Sequence, residues 1–142
     1  MTTLSSASKL DALRRCSVFA RIPAGALGVL AEILATETLH AGEVLVERGE
    51  PSEHVYVVVS GRLSVRVPGR SEPVRQLEAG QLLGEYGMFA GQVRTATVLA
   101  DEPSVLLSLD YERFRAFLHQ FPEAMFVLLG TAVGRLVEAE RG

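Results

Sequence analysis

Residues 83–98 read LGEYGMFAGQVRTATV, a short stretch that combines glycines with one carboxylate and one guanidinium. Its glycines are Gly84, Gly87 and Gly91, and a glycine lets the backbone approach another group closely or adopt a positive φ. The backbone N–H groups near residues 84–88 can therefore converge on an anion, either as a nest or as the start of a short helix. The stretch predicts an anion-binding loop.

Arg94 and Glu85 carry opposite charges in this loop and need different partners. A guanidinium matches two phosphate oxygens with paired hydrogen bonds. A carboxylate only accepts hydrogen bonds and repels a phosphate, so Glu85 needs a donor such as a ribose hydroxyl. The pair predicts a ligand with one phosphate and one free sugar hydroxyl, as in a cyclic nucleotide. The alternative for Arg94 is a surface salt bridge, with Glu85 itself as the partner.

This loop resembles the phosphate-binding cassette of cyclic-nucleotide-binding domains, which occur in catabolite activator proteins, cyclic-nucleotide-dependent kinases and gated channels. The motif is Gly84-Glu85, a small and an apolar residue at Gly87-Met88, and Arg94-Thr95-Ala96-Thr97 ten positions after the first glycine. Leu83 stands where a phenylalanine is usual and Tyr86 where an aliphatic residue is usual. The resemblance covers nearly the whole chain, because glycines occur at further turn positions of the family: Gly42, Gly49, Gly61 and Gly80.

The resemblance implies a set of ligand contacts in the cassette: Gly84, Glu85, Tyr86, Gly87, Met88, Arg94, Thr95 and Ala96. The Thr95 hydroxyl faces either the phosphate or a base edge. In the family, a hydroxyl after the arginine is associated with tolerance of guanine, so cAMP and cGMP both stay candidates. Aligning Arg135-Leu136 with catabolite activator proteins places Ala139 and Glu140 as lid contacts, where those proteins offer hydroxyls to adenine.

β-type patterns fill the middle of the chain. Short runs rich in β-branched residues, bounded by glycine-containing turns, predict about eight short strands. The clearest runs are Val44–Val46, Val55–Val59, Leu63–Val67, Arg75–Leu77, Thr95–Ala100 and Val105–Leu109. Ser60-Gly61 is typical of a tight hairpin turn. The predicted fold is α+β: an eight-stranded antiparallel β-roll or jelly roll, flanked by N-terminal helices and a C-terminal helical lid.

Helical patterns occupy both ends of the chain. Pro23 is expected to start a helix, with one face formed by Leu27, Leu30, Ile33 and Leu34. Asp110 is expected to cap a later helix, which Phe121-Pro122 breaks before the last one. That last helix carries more apolar residues than one packing stripe needs: Ala124, Met125, Leu128, Leu129, Ala132, Val133, Leu136 and Val137.

The predicted organisation is a single cyclic-nucleotide-binding domain of 142 residues, without a DNA-binding domain. Its predicted parts are N-terminal helices in residues 1–35, a roll in 36–109 that contains the cassette at 83–98, and C-terminal helices in 110–142. With 14 basic against 17 acidic residues, the chain has no basic footprint for nucleic acid. No apolar run reaches the roughly 18 to 20 residues of a membrane span.

The remaining functional residues give little support for catalysis. A β-roll also invites comparison with a cupin-type metalloenzyme, but His40, His54 and His119 lack the spacing that aims imidazoles at one metal. Cys16, the one cysteine, excludes a disulfide within the chain and fits a small buried hydrophobe in a reducing, cytoplasmic protein. We therefore expect neither an enzyme nor a metal site.

The sequence ends at Gly142, after the last helix and without the winged helix that follows in catabolite activators. The predicted function is a stand-alone cAMP or cGMP receptor whose C-terminal helix closes over the ligand and signals to a partner chain or a second copy. The alternative is a nucleotide-independent interaction or scaffold module with the same fold.

Overall fold

The computed structural model describes residues 3–90 and 94–141, and these residues form eight strands and five helices. The helices are α1 (Ser6–Arg15), α2 (Ala24–Ile33), α3 (Glu85–Ala90), α4 (Tyr111–Gln120) and α5 (Pro122–Arg141). The strands are β1 (Ala35–Leu39), β2 (Val44–Val46), β3 (His54–Ser60), β4 (Leu63–Arg66), β5 (Arg75–Leu77), β6 (Leu82–Leu83), β7 (Thr97–Ala100) and β8 (Ser104–Asp110).

Two four-stranded sheets form the roll, in the orders β1-β8-β3-β6 and β2-β7-β4-β5. All of their strand pairs are antiparallel. The α+β fold with an eight-stranded antiparallel roll is therefore confirmed.

Strand β3 lies in the middle of the first sheet and is buried on both faces. Because successive side chains point to opposite faces, Tyr56 and Val58 enter the roll interior, while Val55 and Val57 face the helices. The interior cluster also contains Val46, Leu63, Leu77, Val98, Ala100 and Leu106. Burial on both faces explains why β3 reads as a continuous apolar run instead of an alternating one.

The N-terminal helices cover the outer face of the first sheet. Helix α2 begins directly after Pro23, and Leu27, Leu30 and Leu34 are buried as predicted. The assignment of Ile33 to the same face is wrong, since its exposed fraction is 40%. Ala31 occupies that place because the helix returns to one face at i+4 from Leu27.

The C-terminal helices begin and break where the sequence predicts. The Asp110 side chain accepts a hydrogen bond from the Arg113 backbone N–H at 2.8 Å, which caps α4. Helix α5 starts at Pro122, and α4 and α5 are bent by 111° relative to each other. Within the described residues no single helix is long and apolar enough to cross a membrane. Helix α4 and residues 122–138 reach that length and apolar composition only when they are taken together.

Much of the apolar surface of α5 is uncovered in this chain, as expected. Ala124 and Leu128 are buried against the other helices. The exposed large residues are Phe126, Leu129, Val133, Leu136 and Val137.

The turn at Ser60-Gly61 corrects one sequence interpretation. Gly61 has a φ of 92°, as a tight turn requires, but the turn does not close a hairpin within one sheet. Strand β3 pairs with β6 and β8, whereas β4 pairs with β5 and β7, so the turn carries the chain from one sheet to the other. Local turn chemistry predicts the reversal and leaves the strand pairing open.

The crowding around Gly61 predicts a loss of stability on substitution. A Cβ at Gly61 would lie 2.6 Å from the Pro103 carbonyl oxygen, and the positive φ adds strain, so Gly61→Ala should cost about 2–4 kcal/mol of unfolding free energy. Gly69→Ala is the matched control, because Gly69 has a φ of 83° but nothing within 4 Å of the added Cβ. Its cost should stay near 1 kcal/mol, the αL penalty alone. Equal urea-denaturation midpoints for the two variants would contradict this account.

Candidate ligand-binding site

The cassette begins where β6 turns into the short helix α3. Gly84 has a φ of 94°, and a Cβ there would lie 2.6 Å from the His54 carbonyl oxygen and 2.8 Å from Arg94 Nη1. Only glycine fits this position without displacing Arg94. Helix α3 then starts at Glu85, which is the short helix start that the sequence predicts. Residues 91–93 of the cassette and the side chain of Tyr86 lie outside the described part of the structure.

Arg94 is held by its backbone and by its side chain. Its carbonyl accepts a hydrogen bond from the Gly49 N–H at 2.8 Å, and its own N–H donates to the Glu50 carbonyl at 2.8 Å. The guanidinium Nη2 donates to the His54 carbonyl at 2.9 Å, while Nε is buried without a hydrogen-bond partner. The guanidinium is therefore fixed in place with part of its donor capacity unused.

These backbone bonds correct the predicted start of β7. The sequence favours a strand from Thr95, but β7 begins at Thr97, because Arg94 bonds to residues 49–50 instead of a neighbouring strand of the ladder. Thr95 is left exposed in a bend before the strand.

A cavity of about 420 Å³ opens beside Arg94, within the size range of small-molecule sites. Six of the eight predicted cassette residues line it: Gly84, Glu85, Gly87, Arg94, Thr95 and Ala96. Its other lining residues come mainly from the roll and are Val46, Ser52, Val65, Val74, Arg75, Leu83 and Val98. Met88 lies apart from this cavity, buried in the helix-side core with an exposed fraction of 8%.

Glu85 is the most unusual titratable group of the site. Its exposed fraction is 4%, its Oε1 lies 3.7 Å from Arg135 Nη1, and its Oε2 is buried without a hydrogen-bond partner. Burial raises the pKa of this carboxyl, although its own backbone N–H and the positive charges of Arg135, Arg75 and Arg94 oppose the rise. Among the described ion pairs Glu85 pairs with Arg135, so the alternative of a salt bridge to Arg94 does not describe this structure.

A second cavity, of about 190 Å³, lies on the other side of Glu85 and is closed by α5. Helix α5 contributes Leu128, Thr131 and Arg135 to its walls. Cys16, which caps the C-terminal end of α1, also lines it with an exposed fraction of 1%, and burial raises the pKa of this thiol to about 11. Glu85 therefore stands between the larger cavity and the last helix.

Of the two predicted lid residues, the structure describes the side chain of Glu140. Glu140 is exposed near the end of α5 and lines neither of these two cavities. The side chain of Ala139 is outside the described residues. The lid contacts stay a prediction.

The first turn of α4 supports the cassette from below. The Tyr111 hydroxyl donates to the Gly84 carbonyl at 2.5 Å and is also hydrogen-bonded to the Ser52 hydroxyl. A Cβ at Gly87 would lie 2.6 Å from the Tyr111 oxygen, which explains the small residue there. These contacts link the cassette to α4.

Sequence reasoning missed Arg75 and Arg135 as parts of the site, although both left a signal. Arg75 is two residues from the buried Leu77 in β5, so it lies on the inward face of that strand. Arg135 is seven residues from the buried Leu128 in α5, so both lie on one helix face. A charge on an otherwise inward-facing position is the pattern that identifies each.

Two of the three histidines make separate contacts in the structure. His40 pairs with Glu43 at the surface, and the His54 ring packs near Tyr56. No group of three or more His, Cys, Asp or Glu side chains that could hold a metal occurs within the described ranges 3–90 and 94–141.

Residues 36–121 match the model of a known family, the cyclic nucleotide-binding domain. The chain is 32% identical over 118 residues to a cyclic nucleotide-gated potassium channel of Mesorhizobium japonicum, in an alignment that covers 83% of this chain and 32% of the channel. Across eight curated relatives, this chain spans only 10–32% of their length.

Solved structures give the same fold. The regulatory subunit of a cAMP-independent protein kinase A from Trypanosoma brucei has a TM-score of 0.80 at 20% identity, over 89% of this chain and 47% of that chain. The N-terminal domain of a transcriptional regulator from Streptomyces coelicolor A3(2) has a TM-score of 0.72 at 29% identity, over 92% and 93% of the two chains. Because the family match includes the cassette and nearly all of the roll, this chain belongs to the cyclic nucleotide-binding domain family.

Proposed function

We propose that this chain is a non-catalytic receptor module that binds cAMP or cGMP in the 420 Å³ cavity. One observation carries the proposal: Arg94 and Glu85 line this single cavity, yet the ion pair of Glu85 is with Arg135. A cation and an anion that have different partners, here Arg94 and Glu85, match a ligand that carries both a negative phosphate and a hydroxyl donor.

Three polar groups of the cavity then have a role. The unused N–H donors of Arg94 face the cyclic phosphate, and Oε2 of Glu85 accepts from the ribose hydroxyl. The ligand thus gives Glu85 the hydrogen bond that its buried oxygen lacks. Thr95 lies exposed at the cavity wall, where its hydroxyl can meet the phosphate or a base edge.

Signalling in this proposal passes through α5. Because Glu85 pairs with Arg135 and also binds the ribose, the ligand changes the environment of a contact that belongs to the helix. A ligand shifts a conformational equilibrium only by its different affinity for the two states, and this shared carboxylate supplies such a difference. The exposed apolar residues of α5, including Phe126 and Leu129, would carry the change to a partner chain or a second copy in the cytoplasm.

The alternative is an interaction or scaffold module that uses the fold without nucleotide. One observation supports it: the Arg94 guanidinium already donates a hydrogen bond to the protein, at the His54 carbonyl. Calorimetric titration of the purified protein with cAMP and with cGMP separates the two functions. The single-domain organisation stays a prediction under either.

Arg94→Ala should abolish most of the nucleotide affinity. Removing the buried partner of a phosphate costs about 2–4 kcal/mol of binding free energy. Calorimetry with cAMP and cGMP measures this loss, and Arg70→Ala, in the exposed 68–73 loop, is the matched control that should leave affinity unchanged. Wild-type protein that binds neither nucleotide at millimolar concentration would refute the proposed function.

Glu85→Gln should make the folded protein less sensitive to pH. A carboxyl whose pKa is raised by burial binds its proton more tightly in the folded state, so its contribution to stability is full at acid pH and is lost as the pH rises through the folded pKa. Urea unfolding at pH 4 and pH 8 should therefore show a smaller difference for Glu85→Gln than for wild type. The exposed Glu112→Gln change is the control, and a variant curve parallel to wild type would contradict this reading.

Hydrogen exchange in α5 tests the proposed signal. Saturating nucleotide should change amide protection across residues 122–141, and Arg135→Gln should reduce that change because it removes the contact with Glu85. Arg141→Gln, exposed at the helix end, is the matched control. Unchanged protection in saturated wild type would mean that binding leaves the helix unaffected.

A further inference from the structure

Arg94 forms a partition between two cavities. On one side is the 420 Å³ cavity of the proposed nucleotide site. On the other side is a cavity of about 240 Å³, whose lining includes His54 and Tyr56 of β3 and two acidic residues, Glu50 and Glu53. The guanidinium thus faces the proposed nucleotide site on one side and is contacted by β3 on the other.

On the β3 side the guanidinium contacts a carbonyl oxygen and an aromatic ring. Nη2 donates to the His54 carbonyl at 2.9 Å, and the guanidinium carbon lies 6.0 Å from the centre of the Tyr56 ring. That distance is at the limit at which an aromatic quadrupole attracts a cation. Among the described ion pairs, none includes Arg94.

The Tyr56 ring is itself held firmly. Its exposed fraction is 8%, and it packs in the roll interior with Val58 and Leu106. Its backbone pairs with Leu83, the residue before Gly84, and with Ser108 of β8. The ring is therefore fixed relative to the cassette, so it can restrain the Arg94 guanidinium that lies near it.

We propose that Tyr56 is a positioning residue, whose ring and the neighbouring His54 carbonyl hold the Arg94 guanidinium ready for a cyclic phosphate. A ring face and a carbonyl orient the guanidinium and leave its charge for the phosphate. Holding a long side chain in advance also reduces the rotamer entropy lost on binding.

Burial of Tyr56 agrees with this role. Burial and the negative charge of Glu37 raise the pKa of the phenol, whereas the positive charge of Arg94 lowers it. The inference rests on the proposed nucleotide function, and its test needs one measurement without nucleotide and one with it.

The measurement without nucleotide is the NMR chemical shift of the Arg94 side-chain protons. A ring close to the guanidinium changes these shifts, so wild type and Tyr56→Phe should both differ from Tyr56→Leu. Equal shifts in wild type and Tyr56→Leu would overturn the proposal. This result stands whether or not any nucleotide binds.

The measurement with nucleotide is the dissociation constant for cAMP and cGMP. Tyr56→Leu, which keeps the apolar bulk and removes the ring, should weaken binding by about tenfold. Tyr56→Phe should stay within about twofold of wild type, because the π face remains. Val58→Ala is the structural control, since it loosens the same core cluster without touching Arg94 and should also stay within about twofold.

Three results would overturn the proposal: full affinity in Tyr56→Leu, a loss in Tyr56→Phe equal to that in Tyr56→Leu, or an equal loss in Val58→Ala. If Tyr56→Leu does not fold, pentafluorophenylalanine at position 56 replaces it, because fluorination inverts the ring quadrupole at nearly constant size. It should then bind nucleotide more weakly than Tyr56→Phe, and equal binding would overturn the proposal. Absence of nucleotide binding in wild type would instead refute the proposed function and leave the NMR result to decide the contact.

Discussion

The burial of Glu85 is the constraint on which the site depends. A carboxylate with an exposed fraction of 4% loses most of its hydration, and the protein replaces that hydration only in part. Arg135 compensates one oxygen from α5, while the other has no hydrogen-bond partner. The surrounding structure is therefore organised around a charge that is tolerated and incompletely satisfied, a condition often found at functional sites.

The roll holds this charge and Arg94 in place. Strand β3 is buried on both faces, so packing on either side fixes its position. The 49–50 backbone fixes Arg94 on one side, and Tyr111 fixes Gly84 on the other. The roll supplies this precision because each sheet pairs strands that are far apart in sequence, β3 with β8 in one and β2 with β7 in the other.

The parts of the site that the sequence predicts are those encoded by local spacing. Gly84, Glu85 and Arg94 belong to one short stretch, and the structure brings them to one cavity. Contacts between distant segments are harder to predict. Arg135 and Glu85 are fifty residues apart in sequence, and the local pattern around one residue does not indicate the other as its partner. The prediction of a hairpin at Ser60-Gly61 was wrong for the same reason. A turn motif specifies a chain reversal but does not specify which strands pair.

In the proposed receptor, the division between local and distant contacts also separates binding from signalling. The groups proposed to bind the phosphate belong to the cassette and are contacted by β3. Among the described ion pairs, helix α5 contacts Glu85 at 3.7 Å through Arg135, whose side chain is 37% exposed. A partly solvated ion pair contributes modest free energy, so it can be exchanged for other contacts at low cost. Under the proposed function, affinity and signal would thus depend on contacts of different strength, and substitutions at Arg135 would alter the signal with much less effect on the affinity.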